Sequence, residues 1–293
     1  MKNNIFFLTM LCLLFGCKEP SKESSTFSNL IDYQHHILTN NRFEIPVETY
    51  KIRYQSDGLE ITGYISKQKN AENQPAIIVT RGGNRNLGTF GVRNLYYQQF
   101  LASNGYVVLS SQLRGNIFSE GEDEFGGKDL NDILKLIEIN KTLEFTNEKI
   151  GVHGTSRGGL NAYQISRITD DIDAIAVVGA PTALSINFKF RPEMYEKVYK
   201  ELVGDTIQNK AAYEYRNPIL WVDEINEPTL ILHGSDDQRV QLTHAKLMIE
   251  KMKTLNKTFD YHIFEGGNHG LGTHWQAKNR KVLNWFHKYL KQK

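Results

Sequence analysis

Short apolar runs alternate with amphipathic segments along most of the chain. Five runs of strand length are rich in Val and Ile: Ala76–Thr80, Val107–Ser110, Ile150–His153, Ala174–Val178 and Thr229–Leu232. Continuous apolar runs of this length are typical of strands that are covered on both faces. Candidate helices lie between or after them, at Val92–Ala102, Lys128–Ile139, Gly158–Ile168, Thr243–Leu255 and Lys278–Leu290. This alternation predicts an α/β fold with a mostly parallel sheet and helices on both faces.

The pattern changes in two places. Ahead of the first apolar run, the alternating stretches Val47–Tyr54 and Leu59–Ile65 flank Asp57-Gly58, a dipeptide that suits a tight turn, and predict an antiparallel hairpin. From about residue 182 to residue 226 no buried-strand run occurs, and aromatic and charged residues are frequent. We expect a helical insertion there that caps the C-terminal edge of the sheet, where open α/β sheets bind ligands. A purely decorative pair of surface helices is the alternative.

The N-terminus has the pattern of a processing signal. Lys2 precedes an apolar run over residues 5–16, which is shorter than the ~20 residues that span a bilayer. The run ends at Gly16-Cys17 and resembles a bacterial lipoprotein box, in which the cysteine thiol is lipidated. We therefore expect residues 1–17 to be a lipoprotein signal peptide with Cys17 as the lipidation site. An ordinary secretory signal, in which Cys17 is incidental, is the alternative.

The residues that follow Cys17 fit a lipid-anchored protein of the cell envelope. Residues 18–30 are polar and predict a flexible tether, so that residues 31–293 form the α/β domain. Lys18 rather than Asp follows the cysteine, which in lipoproteins favours the outer membrane over the inner one. The expected partner is a bacterial membrane, reached through the lipid anchor on Cys17, and the α/β domain is expected outside the cytoplasm.

Charge and cysteine content narrow the classes of partner. The 293 residues include 35 basic and 33 acidic side chains, which gives a net charge of +2. Without a basic run, no nucleic-acid partner is expected. Cys12 and Cys17 are the two cysteines, and Cys12 would leave with the signal peptide, so we expect no disulfide.

The strongest chemical signal is the pentapeptide Gly154-Thr155-Ser156-Arg157-Gly158, between a predicted strand and a predicted helix. A serine hydroxyl is a weak nucleophile unless a base removes its proton. A Gly-x-Ser-x-Gly turn presents the serine on a sharp bend, where flanking side chains larger than hydrogen would clash. The helix N-terminus behind it directs backbone N–H groups at a developing oxyanion. Ser156 is therefore the predicted nucleophile.

An acid and a base are expected further along the chain, in that order. The loop after the strand Thr229–Leu232 carries Asp236 and Asp237, and spacing alone does not separate them. The glycine-rich loop after the last predicted strand, Phe259–Phe264, carries His269, which is the expected base. His274 is its rival. His153 and His233 are expected to be structural.

With these segments in place, the chain resembles the catalytic domain of the prolyl oligopeptidase family of serine peptidases. The resemblance rests on Gly154–Gly159, on His233–Val240 and on Gly267-Asn268-His269-Gly270, and extends from about residue 47 to 290. It implies an α/β-hydrolase fold. The His-Gly-x-x-Asp-x-x-Val pattern within His233–Val240 places the catalytic acid at Asp237. The implied catalytic residues are Ser156, Asp237 and His269.

The resemblance also implies an oxyanion hole made by backbone groups. Thr80-Arg81-Gly82-Gly83-Asn84 is similar to the loop that forms half of this hole in the family. The implied donors are the backbone N–H groups of Gly83 and Asn84, together with that of Arg157. Arg81 stands where relatives often have an aromatic residue or histidine, and it is left without a role. No stretch of this chain has the length of the family's β-propeller.

The expected chemistry is acyl transfer through an acyl-enzyme, without a cofactor or metal. The substrate class is a small-molecule ester or a peptide, so peptidase, carboxylesterase and carbohydrate-ester deacylase all stay open. A lipid-anchored binding protein that has lost catalysis is an alternative of another class. The oligomeric state stays unknown from the sequence.

Overall fold

The computed structural model describes residues 30–35 and 43–292 of the chain. The predicted signal peptide, Cys17 and residues 18–29 of the predicted tether lie outside the described residues. Leu30, the last residue of that tether, is half-buried and packs against the core. Within the described part of the chain, no helix has the length and apolar character needed to cross a membrane.

A nine-stranded sheet forms the centre of the described residues. Its strands, in chain order, are β1 (Asp32–His35), β2 (Val47–Ser56), β3 (Leu59–Gln68), β4 (Gln74–Thr80), β5 (Val107–Ser111), β6 (Thr146–Thr155), β7 (Ala174–Val178), β8 (Thr229–Gly234) and β9 (Phe259–Phe264). They are arranged in the order β1-β2-β3-β5-β4-β6-β7-β8-β9. The first three strands and the β3–β5 pair are antiparallel, and every pair from β5 to β9 is parallel.

Nine α-helical segments occur in the described residues: α1 (Val92–Ser103), α2 (Leu130–Asn140), α3 (Arg157–Ile168), α4 (Leu184–Phe190), α5 (Pro192–Met194), α6 (Lys200–Leu202), α7 (Lys210–Tyr215), α8 (Leu242–Thr254) and α9 (Trp275–Phe286). A π-helical segment, Tyr195–Tyr199, joins α5 to α6, and another, His287–Lys291, continues α9. Short 3-10 turns occupy Pro218–Leu220, Val222–Glu224 and Gly272–His274.

Helices cover both faces of the sheet because alternate strand residues point to opposite sides. In β8, Ile231 packs into one apolar layer, while Leu230 and Leu232 pack into the other. The first layer is closed by residues of α2, α3 and α8, and the second by residues of α1 and α9. This is the predicted α/β-hydrolase architecture. The central strands are continuous apolar runs because helices cover the sheet on both faces.

The predicted hairpin is present as β2 and β3. Ser56 lies opposite Leu59, so the loop contains only Asp57 and Gly58. Both residues have positive φ angles, 52° and 77°, which matches the twist of a two-residue hairpin. The sequence pattern did not predict β1, whose residues are mostly polar.

The predicted insertion over residues 182–226 consists of the short helices α4 to α7, the π-helical segment Tyr195–Tyr199 and two 3-10 turns. It has a small apolar core of its own, in which Leu184, Val198 and Tyr213 pack with Phe125 and with Leu160 of α3. The insertion therefore lies over the start of α3, at the C-terminal edge of the parallel strands.

Two histidines that the predicted active site does not use are buried and hydrogen-bonded as neutral groups. His153 Nε2 lies 2.9 Å from the Tyr97 hydroxyl, and its Nδ1 lies 2.8 Å from the Ala176 carbonyl oxygen. His244 Nδ1 accepts the backbone N–H of Thr182 at 3.0 Å, which ties α8 to the insertion. Burial lowers the pKa of each imidazole to about 4.

We expect stability to fall on mild acidification because of these two groups. Unfolded histidine binds a proton near pH 6.5, whereas both folded imidazoles bind one only near pH 4. Between these values the unfolded chain holds more protons. The free energy of unfolding should therefore decrease as the pH falls, with a slope approaching roughly 2.7 kcal/mol per pH unit for two protons. Urea unfolding at several pH values between 7 and 4.5 measures this slope.

A matched pair of variants tests whether the buried histidines cause the dependence of the unfolding free energy on pH. His153→Gln should reduce it by about 1.4 kcal/mol per pH unit, the equivalent of one proton. His287→Gln, which removes an exposed imidazole, should leave it unchanged. A native slope in His153→Gln would contradict the argument.

Candidate active site

Ser156 occupies a sharp turn between β6 and α3. Its φ and ψ angles of 59° and −127° are rare for a residue with a side chain. Its backbone N–H donates to the Val178 carbonyl oxygen at 2.8 Å, which fixes the turn to the end of β7. A Cβ atom at Gly154 would overlap the Gly158 carbonyl, and one at Gly158 would overlap the backbone of Thr80. The two glycines of the motif are therefore required by the close approach of β4, β6 and α3.

Asp237 and His269 form a hydrogen-bonded pair. Asp237 Oδ2 lies 2.7 Å from His269 Nδ1, while Asp237 Oδ1 accepts the backbone N–H groups of Arg239 and Val240 at 2.8 and 2.9 Å. Burial favours a raised pKa for this carboxyl, but the hydrogen bond and charge of His269 and the two backbone bonds outweigh it. The pKa of Asp237 therefore lies below its ordinary value. The ionised carboxylate orients His269 Nδ1 toward itself and leaves Nε2 for another partner.

Gly179 provides the space for this pair. It follows β7 directly and has a φ of 53°, which glycine adopts without strain. A Cβ at this position would lie 3.0 Å from Asp237 Oδ2 and 3.2 Å from His269 Nδ1. A larger residue here would press on both groups.

Ser156 and His269 line one cavity of about 480 Å³, within the range of small-molecule sites. Its walls come from the loop after β4, the start of α3, the insertion and the loops after β8 and β9. The lining residues are Gly82, Gly83, Asn84, Leu87, Gly88, Asn94, Phe125, Thr155, Ser156, Arg157, Pro181, Asn187, Arg191, Met194, Tyr199, Arg239, Val240 and His269. Among the described residues, the Ser156 hydroxyl has no hydrogen bond to the imidazole. Such contacts often tighten only when substrate binds.

The loop that follows β4 is held in place by Arg81. The buried guanidinium of Arg81 donates to the carbonyl oxygens of Gln112, Arg85 and Leu87 at 2.6 to 2.7 Å. Burial, together with the charge of Arg157, lowers the pKa of Arg81 to about 10. Arg81 therefore binds its own loop and is not among the residues that line the cavity. This loop carries Gly83 and Asn84 to the cavity wall beside Ser156.

The side chain of Arg157 is buried and connects the turn at Ser156 to neighbouring loops. Its guanidinium is 1% exposed and forms ion pairs with Asp123 at 2.7 Å and Asp129 at 2.5 Å. It also donates to the Gly83 carbonyl oxygen at 3.1 Å, and Asp123 accepts the backbone N–H of Arg85 at 2.6 Å. The buried ion pairs of Arg157 with Asp123 and Asp129 thus join the residue after Ser156 to the loop after β4.

The burial of Asp129 by itself would raise the pKa of that carboxyl. The charge and hydrogen bond of Arg157, with the N–H groups of Gly127 and Gly126, reverse this and hold the pKa below its ordinary value. Asp129 therefore stays ionised beside the Arg157 guanidinium. Sequence reasoning assigned only the backbone of Arg157 and missed its side-chain role.

The rival candidates lie apart from this geometry. Asp236 is exposed and bonds with the adjacent Ser235, and His274 packs against Phe264 and contacts Thr273. His233 Nε2 donates to the Val240 carbonyl at 2.8 Å and supports the acid loop. Within the described residues, no group of three or more His, Cys, Asp or Glu side chains is arranged to hold a metal ion.

The sequence profile of the prolyl oligopeptidase family matches residues 93–293. The chain belongs to this family. It is a serine hydrolase. In sequence it is 28% identical over 269 residues to Uncharacterized peptidase YtmA of Bacillus subtilis, covering 88% of this chain and 100% of that protein. It is 26% identical to dipeptidyl aminopeptidase BIII of Pseudoxanthomonas mexicana, over 72% of this chain and 32% of that protein.

Among solved structures, the fold is similar to that of Pyrococcus horikoshii acylaminoacyl peptidase. The TM-score is 0.73 at 23% identity, covering 86% of this chain and 43% of that chain. The likeness confirms the predicted fold class. The chain thus spans the whole of one relative and less than half of the other two proteins.

Removing the charge of Arg157 should destabilise the protein. Arg157→Met leaves two buried carboxylates without a counter-charge, and breaking a buried ion pair in this way typically costs about 3–5 kcal/mol. Urea unfolding at pH 7 measures the loss. The exposed control Arg93→Met should change the free energy of unfolding by less than about 0.5 kcal/mol.

A triple variant checks the cause. Arg157→Met combined with Asp123→Asn and Asp129→Asn should recover a substantial part of the lost stability, because no charge is then left buried. Equal destabilisation in the triple and single variants would point to lost packing instead.

Proposed function

We propose that Ser156, His269 and Asp237 form a catalytic triad that hydrolyses peptides through an acyl-enzyme. The observation that carries the proposal is the 2.7 Å pair between Asp237 and His269 beside the cavity that Ser156 also lines. Asp237 holds the imidazole so that Nε2 is the nitrogen available to the serine. The backbone N–H groups of Gly83, Asn84 and Arg157 complete the proposal as oxyanion donors.

The reaction follows from these positions. His269 Nε2 takes the Ser156 proton as the serine oxygen attacks the substrate carbonyl, and Asp237 stabilises the imidazolium. The oxyanion accepts from the backbone donors at the start of α3, where the helix dipole also favours negative charge. The imidazolium then protonates the leaving amine, which leaves an acyl-serine. Water, activated by the same imidazole, releases the acid and restores the serine.

The relatives favour peptides over esters as substrates. The matched proteins in Bacillus subtilis and Pseudoxanthomonas mexicana are named as a peptidase and a dipeptidyl aminopeptidase. A cavity of about 480 Å³ has room for only a few residues around the scissile bond, so short peptides are the proposed substrates. Activated esters should also react, since they need the same attack and have a better leaving group.

The nucleophile assignment is tested by Ser156→Ala. Turnover of p-nitrophenyl butyrate and of short peptide p-nitroanilides should fall by at least about 10³-fold, because the acyl-enzyme can no longer form. Labelling by a fluorophosphonate probe should be lost, while the unfolding midpoint stays close to that of the native protein. Ser235→Ala is the matched control on a neighbouring loop and should retain labelling. Continued labelling of Ser156→Ala would refute the assignment.

The lipid anchor is the second part of the proposal. The apolar run that ends at Gly16-Cys17 and the polar residues after it support a diacylated cysteine at the mature N-terminus of an envelope protein, with the outer membrane favoured.

Cys17→Ser should move the protein from the membrane fraction to the soluble fraction of a bacterial host. It should also abolish incorporation of an alkyne fatty acid. Cys12→Ser, within the predicted signal peptide, is the control and should change neither readout. Equal fractionation of Cys17→Ser and the native protein would instead favour an ordinary secretory signal.

A further inference from the structure

The cavity that contains Ser156 is lined by cationic side chains and by no acidic one. Of its described lining residues, three are arginines and none is Asp or Glu. Arg157 is neutralised by its two buried carboxylates. The charge that a substrate meets therefore comes from Arg191 of the insertion and Arg239 of the loop after β8.

Arg191 and Arg239 differ from the other arginines around the site because they have guanidinium N–H groups that donate to no described residue. Arg81 and Arg216 donate to backbone carbonyls, and Arg85 pairs with Glu201. The guanidinium of Arg239, by contrast, makes no hydrogen bond or ion pair to any residue that the structure describes.

Arg191 has one partner. Its Nε donates to Glu193 at 3.0 Å, while its Nη atoms make no hydrogen bond within the described chain. Glu193 is half exposed, so water screens this pair. The two Nη groups are thus free to receive a ligand.

A guanidinium presents a planar fork of N–H donors that matches a carboxylate in two parallel hydrogen bonds. An ammonium group in the same cavity would meet two positive charges and no counter-charge. We propose that this site selects substrates that carry a carboxylate near the scissile bond, and that it disfavours a free α-amino group there. The proposal rests on the proposed hydrolytic function of Ser156.

Three p-nitroanilides with the same dipeptide test this selectivity: N-succinyl-Ala-Ala, N-acetyl-Ala-Ala and unblocked Ala-Ala. The N-succinyl compound adds a carboxylate, the N-acetyl compound is neutral, and the unblocked one carries an ammonium. We expect kcat/KM to be at least tenfold higher for the succinyl than for the acetyl substrate, and lowest for the unblocked one. The preference should shrink as salt is added, because ions screen the attraction.

Removing the charge of each arginine tests whether Arg191 and Arg239 cause the preference for the succinyl substrate. Arg191→Gln and Arg239→Gln should each reduce the succinyl-to-acetyl ratio several-fold, and the double variant should bring it close to one. Arg191→Lys should restore part of the ratio. The matched control is Lys189→Gln, which removes an exposed cation from α4, two residues before Arg191 and outside the cavity lining, and should leave the ratio unchanged.

Protection of Ser156 from the fluorophosphonate probe gives a second readout, which needs no turnover. N-succinyl-Ala-Ala amide should protect at lower concentration than N-acetyl-Ala-Ala amide. If the probe labels Ser156 but the acetyl and succinyl compounds behave alike in both assays, the selectivity is refuted and the hydrolase proposal stands. If neither labelling nor turnover occurs, both proposals fall.

Discussion

The sharp turn at Ser156 is the constraint on which the site depends. A residue with φ 59° and ψ −127° carries backbone strain of order 1–3 kcal/mol, which the surrounding contacts must offset. They do so at short range: glycine at 154 and 158 lets β4, β6 and α3 approach closely, and the Ser156 N–H bonds to the end of β7. The same contacts place the Ser156 hydroxyl at the edge where the parallel strands end, so the backbone strain and the position of this hydroxyl have one cause.

Arginine side chains organise the walls around this turn in different ways. Arg81 gathers the carbonyls of its own loop, and Arg157 joins that loop to the start of α3 through two buried carboxylates. The ion pair between Arg85 and Glu201 links the loop to the insertion. Because these cations are satisfied internally, they hold the loop that supplies the proposed oxyanion donors against its neighbours. Within the described residues, the guanidinium of Arg239 and the Nη groups of Arg191 make no such bonds.

Much of this arrangement could be predicted from the sequence because it depends on local patterns. Buried strands appear as apolar runs, and the Gly-x-Ser-x-Gly motif marks the turn at Ser156. Adjacent carboxylates have the same local signature, so the choice of Asp237 over Asp236 came from the family resemblance and not from spacing. In the structure, backbone N–H groups and His269 converge on Asp237, whereas Asp236 faces solvent.

Other features of the structure leave no local pattern in the sequence. Asp123 and Asp129 pair with a guanidinium 34 and 28 residues away, and a contact made through space leaves no periodicity in the sequence. The strand β1 is short and polar, so its pairing with β2 is a tertiary effect rather than a property of its residues. The insertion was predicted as helical, but its division into short helices around a π-helical segment was not.

The strand β1 lies far from the cavity that Ser156 lines. It forms one edge of the sheet, five strand spacings from β6, which leads into Ser156. At about 4.8 Å per spacing this amounts to roughly 24 Å along the sheet, or about two helix diameters. The chain therefore enters the described residues at the flank of the sheet, and not among the loops that surround the cavity.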